Sequence, residues 1–220
     1  MTDNYAAERG EVLDAVRRIV ALGLVSGASG NVSRRIRAPE GELITITASR
    51  VPYHRFTIDD VLVCDFDVEP VVGDGVPSSE SLSHLAIYRA RPDVGAVIHT
   101  HSVYASAFAA AGTPIPCVLD EQVISLGGAV EVADYGSSAS EELATNAVAA
   151  LGERAAVLLK HHGIIGVGAG LEEAADVVEL VERVAQICVA AASLGGARPL
   201  PDDVVRSQQQ IYRMMKGFRA

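Results

Sequence analysis

The chain has no tryptophan, and its few tyrosines and phenylalanines make up only 5% of 220 residues. That scarcity argues against a surface that stacks bases or sugar rings. Positive charge is also in deficit: 18 Lys and Arg stand against 28 Asp and Glu, a formal net charge of −10. A nucleic-acid backbone requires a basic footprint, so no nucleic-acid partner is expected. A small anion in a locally positive pocket is compatible with that balance. The three cysteines, Cys64, Cys117 and Cys188, are far apart, odd in number and form no CxxC. This excludes a disulfide framework and fits a reducing compartment, the cytoplasm. No uninterrupted apolar run approaches the ~20 residues of a membrane span. The opening MTDNYAAERGE is polar and lacks a basic start followed by an apolar stretch, so neither a signal peptide nor a membrane partner is expected. GxGxxG, the phosphate-loop pattern, GxSxG and HExxH are all missing, which leaves nucleotide binding, a serine nucleophile elbow and a zincin helix without support.

What is present is enough for one well-packed domain: 49% of the residues are hydrophobic, and no repeat, low-complexity stretch or linker divides 1–220. Apolar spacing predicts a helix over Tyr5–Leu24 with Val12, Val16, Ile19, Val20 and Gly23 on one stripe. Strands are predicted at Val32–Ile36 and Leu43–Thr47, joined by the turn Pro39-Glu40-Gly41, and at Val61–Cys64. Pro77-Ser78-Ser79 introduces a helix to about Ala90, ended by Pro92. Strand Val94–Thr100 and a short helix near Val103–Ala111 follow, with Pro114 and Pro116 beyond. The stretch Ile115–Asp134 is apolar with weak periodicity, which suggests an interface, with a short strand at Val130-Glu131-Val132. Then come a helix over Glu141–Leu151, strands at Ala155–Leu159 and Ile164–Val167, a long helix over Glu172–Leu194 stopped by Gly195-Gly196, and a last helix over Asp202–Met215. Hairpin-linked strands interleaved with helices predict a single α/β domain with a central mixed or antiparallel sheet flanked by helices.

The most informative residues are His99-Thr100-His101, at the end of an apolar strand. Residues i and i+2 of a strand face the same side, so both imidazoles can approach one ion. A second cluster, Lys160-His161-His162-Gly163, follows another apolar run. Three neutral imidazoles with one open position are the usual arrangement of a catalytic zinc. Spacing alone cannot place the third ligand, and a buried His pair with an unrelated surface pair is the bland alternative. Pro77-Ser78-Ser79-Glu80 puts two hydroxyls at a helix N-terminus, where free backbone N–H groups favour an anion; taken alone, simple capping, with Glu80 in the first turn, explains it better. In Ser26-Gly27-Ala28-Ser29-Gly30-Asn31 the glycines allow backbone amides near an oxyanion, and Asn31 can donate, though taken alone an ordinary loop after a helix explains it better. Thr45-Ile46-Thr47-Ala48-Ser49-Arg50 ends a strand with hydroxyls and an arginine, which either closes the same anion pocket or is a solvated charge.

Taken together, Gly30-Asn31-Val32-Ser33, Ile44–Tyr53, Pro77-Ser78-Ser79-Glu80, His99-Thr100-His101-Ser102, Leu159-Lys160-His161-His162-Gly163 and Val184-Ala185-Gln186 resemble the class II aldolase/adducin family, and most closely its fuculose-1-phosphate aldolase branch. The resemblance runs from about Glu8 to Lys216. It implies a three-layer domain and a homotetramer with active sites between subunits. It implies Zn²⁺ held by His99, His101 and His162, with His161 left out. Glu80 would ligate the empty metal and act as acid/base once substrate displaces it. Gly30, Asn31, Ser49, Arg50, Ser78 and Ser79 would hold a substrate phosphate. The implied reaction cleaves a small ketose 1-phosphate to dihydroxyacetone phosphate and an aldehyde through a metal-stabilised enediolate.

The chain departs from the family in three places. Thr47-Ala48-Ser49-Arg50 stands where members carry Thr-Pro-Ser/Thr-Gly. Pro116-Cys117-Val118-Leu119-Asp120-Glu121 lacks the tyrosine that serves the aldehyde end, and the C-terminal tyrosine is replaced near Gly217-Phe218. The alternatives left open are a sugar-phosphate 4-epimerase, dehydratase or decarboxylase on the same fold, and a metal-free adducin-like interaction module.

Overall fold

The computed structural model describes residues 5–38 and 41–218. In chain order the elements are α1 (Ala6–Ala21), β1 (Asn31–Ala38), β2 (Gly41–Thr47), β3 (Val61–Asp65), β4 (Pro70–Val72), α2 (Ser81–Ala90), β5 (Ala96–Thr100), α3 (Val103–Ala111), α4 (Asp120–Leu126), β6 (Val132–Ala133), α5 (Glu141–Leu151), β7 (Ala156–Leu159), β8 (Gly163–Gly168), α6 (Leu171–Ala191) and α7 (Asp202–Lys216). The eight strands form one sheet in the order β4-β3-β2-β1-β5-β8-β7-β6. Every pairing is antiparallel except β6 with β7. This is the expected mixed sheet, and its hairpins set the register that the site depends on.

Strand alternation sends successive side chains to opposite faces. On β5, Ile98 packs with Val12, Ile19, Val178 and Val181 under α1 and α6, while Val97 packs with Ile44, Leu85, Tyr88 and Leu143 under α2 and α5. The result is three layers, helix on sheet on helix. His99 shares the face of Val97, so it turns toward α2, whose N-cap residue is Glu80.

Several expectations need correction. Val20 is exposed and Gly23 lies beyond α1 in a left-handed turn at φ +71°. In the hairpin turn expected between β1 and β2, Pro39 and Glu40 lie outside the described residues. The sequence reading missed β4 and α4. The stretch Ile115–Asp134 is not a free apolar surface: Ile115, Val123, Leu126 and Val130 are buried in this chain's own core, and Asp120–Leu126 is helical. Its weak periodicity reflects a short helix between irregular segments, so it lends no weight to an interface. Val130 forms an isolated bridge to Ile115, and the strand begins at Val132. The long helix ends at Ala191 and continues as a 3₁₀ turn to Leu194.

Candidate active site

His99 lies at the end of the central strand β5, opposite Asn31 on β1 and Ile165 on β8. Leu159 pairs with Gly163 across the β7–β8 hairpin, so its turn, Lys160-His161-His162, stands beside the end of β5. His161 takes a left-handed conformation at φ +59°, uncommon for a residue with a side chain. Its ring is exposed and packs 6.2 Å from that of Tyr135, while His162 is turned inward. The rings of His99, His101 and His162 lie 4.8–4.9 Å apart in edge-to-face pairs. One nitrogen from each lies within 4.8 Å of the others, a group able to hold a metal ion.

Glu80 completes the cluster. Its Oε2 is 3.0 Å from His99 Nε2 and its Oε1 is 3.2 Å from His162 Nε2. Asn31 Nδ2 donates to Oε2 at 3.2 Å, and Ser138 Oγ donates to Oε1 at 2.8 Å. Although Glu80 occupies the N-cap of α2, its side chain does not cap the helix. Glu80 spends its carboxylate on the imidazoles, while Ser78 Oγ accepts the Glu80 backbone N–H at 3.3 Å, as the capping alternative expects of the hydroxyls.

The donor set itself fits a cation. His99 Nδ1 is 2.8 Å from the carbonyl of Ile164. A carbonyl only accepts, so Nδ1 carries the proton, and in the neutral ring Nε2 is a bare lone pair. That lone pair faces His101 Nε2 at 2.9 Å and the Glu80 carboxylate. Such convergence of electron-rich atoms is relieved by a positive ion among them. The carbonyl partner also supplies the outer hydrogen bond that orients a metal-ligating histidine. Burial, then the neighbouring His99, pushes His101 down to about 4 and also lowers His162, which keeps both rings in their unprotonated, ligating form. For Glu80, burial alone would raise the pKa. Whenever His99 and His162 are protonated, the hydrogen bond and charge of His99, then the charge of His162 and the Ser138 hydroxyl, outweigh burial and lower the carboxyl well below the usual range.

Two glycines make the packing possible. A β-carbon on Gly163 would overlap the carbonyl oxygen of Thr100 and lie 3.0 Å from His101 Cδ2. At Gly30, where φ is +83°, it would lie 2.6 Å from the carbonyl oxygen of His99.

Beside the imidazoles is a cavity of ≈ 320 Å³ lined by Gly30, Asn31, Ser49, Arg50, Ser78, Ser79, Glu80, His101 and His162, together with Ala28, Ser29, Ala48 and Ser138. All six residues expected to face a phosphate therefore line one cavity. The bridge Ala48–Pro77 holds the two loops that carry Ser49-Arg50 and Ser78-Ser79 side by side. Arg50 is exposed and left-handed at φ +62°. Asn31 also donates one amide N–H to Glu80, and its Oδ1 is buried without a hydrogen-bond partner among the described residues. Sequence reasoning also missed three contributors. Ser138 reaches Glu80 from 58 positions away. Glu182, on α6, accepts the N–H groups of Tyr104 and Ala105 at 3.0 and 2.9 Å, just after His101. His84, buried behind the site, bonds Ser33 Oγ through Nδ1 at 2.6 Å. None has a local sequence signal, because each contact is long-range.

The fold and site define an α/β protein with three imidazoles able to hold a cation, an adjacent carboxylate and a polar cavity. The chain belongs to the class II aldolase and adducin N-terminal domain family, whose model matches residues 10–189. It is 35% identical over 212 residues to the 5-deoxy-D-ribulose 1-phosphate aldolase of Bacillus thuringiensis serovar kurstaki, covering 96% of each chain. It is 33% identical over 209 residues to the L-fuculose phosphate aldolase of Escherichia coli O6:H1, covering 95% of this chain and 93% of that one. A solved L-fuculose 1-phosphate aldolase superposes with a TM-score of 0.87 at 33% identity, over 94% of this chain and 96% of the other. Among the described residues no helix is long and apolar enough to cross a membrane.

Proposed function

We propose that this chain is a zinc-dependent aldolase that cleaves a small ketose 1-phosphate to dihydroxyacetone phosphate and an aldehyde. The observation that carries the reading is the convergence of His99, His101, His162 and Glu80 beside a cavity lined by hydroxyls, Asn31 and Arg50. Its relatives named for deoxyribulose and fuculose phosphates support the substrate class.

His99, His101 and His162 would hold the ion, with the Glu80 carboxylate within reach as a further ligand. Bound there, a divalent ion such as Zn²⁺ supplies a Lewis acid for a ketone carbonyl and for the charge left when its C–C bond breaks. Ser49, Ser78, Ser79, Asn31 and the backbone at Gly30 hold the phosphate, with Arg50 as a charged donor that stays protonated at working pH. Anchoring the phosphate fixes the ketone end relative to the imidazoles. Cleavage turns the hydroxyl of the departing carbon into a carbonyl, and the proton it gives up balances the one Glu80 delivers to the carbon that has lost its aldehyde fragment; in the synthetic direction Glu80 removes that proton. Lys160, beside His161, has no role as a Schiff-base amine in this scheme. Asn31 Nδ2 carries two N–H groups: one is given to Glu80, and the second is the one it can offer the phosphate.

The unit of function is one catalytic domain spanning 1–220, working in the cytoplasm as a homotetramer. The apolar side chains of Val76 and Val103, 72% and 71% exposed on either side of the site loops, support burial against neighbouring subunits. The deciding experiment is a product assay of zinc-loaded protein on a panel of ketose 1-phosphates, with light scattering in parallel. Release of dihydroxyacetone phosphate by a tetramer is expected. Epimerised ketose or a dehydrated product would assign a different reaction, and a monodisperse monomer would remove the tetramer.

A further inference from the structure

Ser138 belongs to none of the sequence motifs, yet its hydroxyl is a close partner of the Glu80 carboxyl, at 2.8 Å. We infer that Ser138 is a positioning residue for Glu80, fixing the orientation of its carboxyl through the Oγ–Oε1 hydrogen bond. The inference rests on the aldolase reading, in which the Glu80 carboxyl faces the reacting carbon.

The partners of Glu80 differ in what they can do. Asn31 reaches it through Nδ2, at 3.2 Å, and an amide N–H₂ can only donate. The Nε2 atoms of His99 and His162, at 3.0 and 3.2 Å, are lone pairs that belong to the cation site. A serine hydroxyl both donates and accepts, and its hydrogen rotates freely. Ser138 donates to Oε1 and Asn31 to Oε2, so the two donors hold the carboxyl from both of its oxygens.

Its placement is built into the fold. Residues 134–140 link β6 to α5, and the loop is tied down at both ends. A β-carbon on Gly136 would lie 2.5 Å from the backbone nitrogen of Leu143, so the loop meets the first turn of α5 at a distance only glycine permits. Asn146 Nδ2 donates to the carbonyls of Asp134 and Tyr135, each at 3.3 Å. Ser140 caps α5 by accepting the Leu143 N–H at 3.1 Å. Between them Ala139 is held left-handed at φ +64°, a conformation that costs an alanine energy and persists where surroundings enforce it. Ser138 itself is exposed, so removing its hydroxyl leaves the core intact.

The test compares Ser138→Ala and Ser138→Thr with wild type. All three are zinc-loaded and assayed on whichever of L-fuculose 1-phosphate and 5-deoxy-D-ribulose 1-phosphate the wild type cleaves faster. Loss of one hydrogen bond to a charged group predicts a fall in kcat of about tenfold for Ser138→Ala, with KM changed by less than about twofold. Ser138→Thr, which keeps the hydroxyl, should stay within about threefold of wild type. Bound zinc and the urea midpoint should be unchanged in both variants. Unchanged kcat in Ser138→Ala, a threonine variant no better than alanine, or a loss that tracks zinc content or midpoint would overturn the inference while an active wild type leaves the aldolase reading standing. A wild type that cleaves neither ketose would overturn both.

Discussion

Gly163 and His101 meet where no side chain fits: a β-carbon on the glycine would lie 3.0 Å from the ring carbon Cδ2 of the histidine and overlap the carbonyl of Thr100. The close approach brings the β7–β8 turn, and with it His162, against the end of β5. Gly163→Ala must push that turn outward. The expected outcome is a folded protein, by circular dichroism, that has lost most of its zinc. A displacement of about 1 Å should lower kcat/KM by about 100-fold. Full metal content in the variant would mean that the turn adapts without disturbing the ligands.

Arg50→Gly should separate stability from function. Arg50 is held left-handed at φ +62°, which costs a non-glycine residue roughly 1 kcal/mol. The glycine variant should therefore be the more stable in urea by about that amount, less the extra unfolded-state freedom of glycine. Because Arg50 is exposed, its contact with phosphate is partly screened, and a fall of about tenfold in kcat/KM on a ketose 1-phosphate is expected. The unphosphorylated ketose should show a much smaller loss. Equal losses on both would assign Arg50 to structure, and improved activity would show that it crowds the cavity.

Glu182 caps α3 from the far helix α6, accepting the Tyr104 and Ala105 N–H groups. Ser102, at the N-cap position, makes no such side-chain bond. Glu182→Ala should lower stability by about 1–2 kcal/mol, measured as a shift in urea midpoint. Because α3 begins two residues after His101, zinc affinity by chelator competition should fall as well. Glu182→Gln should recover part of both.

Acid should destabilise the protein through His84. Burial pushes its pKa down to about 3, against about 6.5 in an unfolded chain. Between those values the unfolded state binds a proton that the native state refuses, so stability rises with pH across the window and falls as acid is added. The contribution is about 1.4 kcal/mol per pH unit for that single proton. Glu80, whose folded pKa is depressed, adds a further loss in the same direction below about pH 4.5. Urea unfolding between pH 4 and 6 should show the slope reduced by about one proton in His84→Asn. An identical slope would mean that His84 takes up its proton in the native state.

Much of this architecture is legible in the sequence because its signals are local. Helix α5 runs from Glu141 to Leu151 as its spacing predicts, and the i, i+2 rule brings His99 and His101 into one three-imidazole group. Helix α4 carries readable signs, acidic Asp120 and Glu121 in its first turn and Gly127 left-handed at φ +82° after its end. The prolines before it and its length of seven residues obscure them. The third imidazole is a different case: a hairpin register places His162, and spacing alone could not. Ser138, Glu182 and the engagement of Asn31 with Glu80 depend on contacts 49 to 78 residues apart, which no local pattern encodes.

The central claim is that Glu80 moves a proton at the carbon next to the ketone. It is tested most directly by solvent deuterium exchange into dihydroxyacetone phosphate, with no aldehyde present, followed by proton NMR. Zinc-loaded wild type should replace one hydrogen of the hydroxymethyl group, and Glu80→Gln with zinc still bound should slow the exchange by a factor of about 100 or more. No exchange by the wild type, or undiminished exchange by Glu80→Gln, would contradict the account.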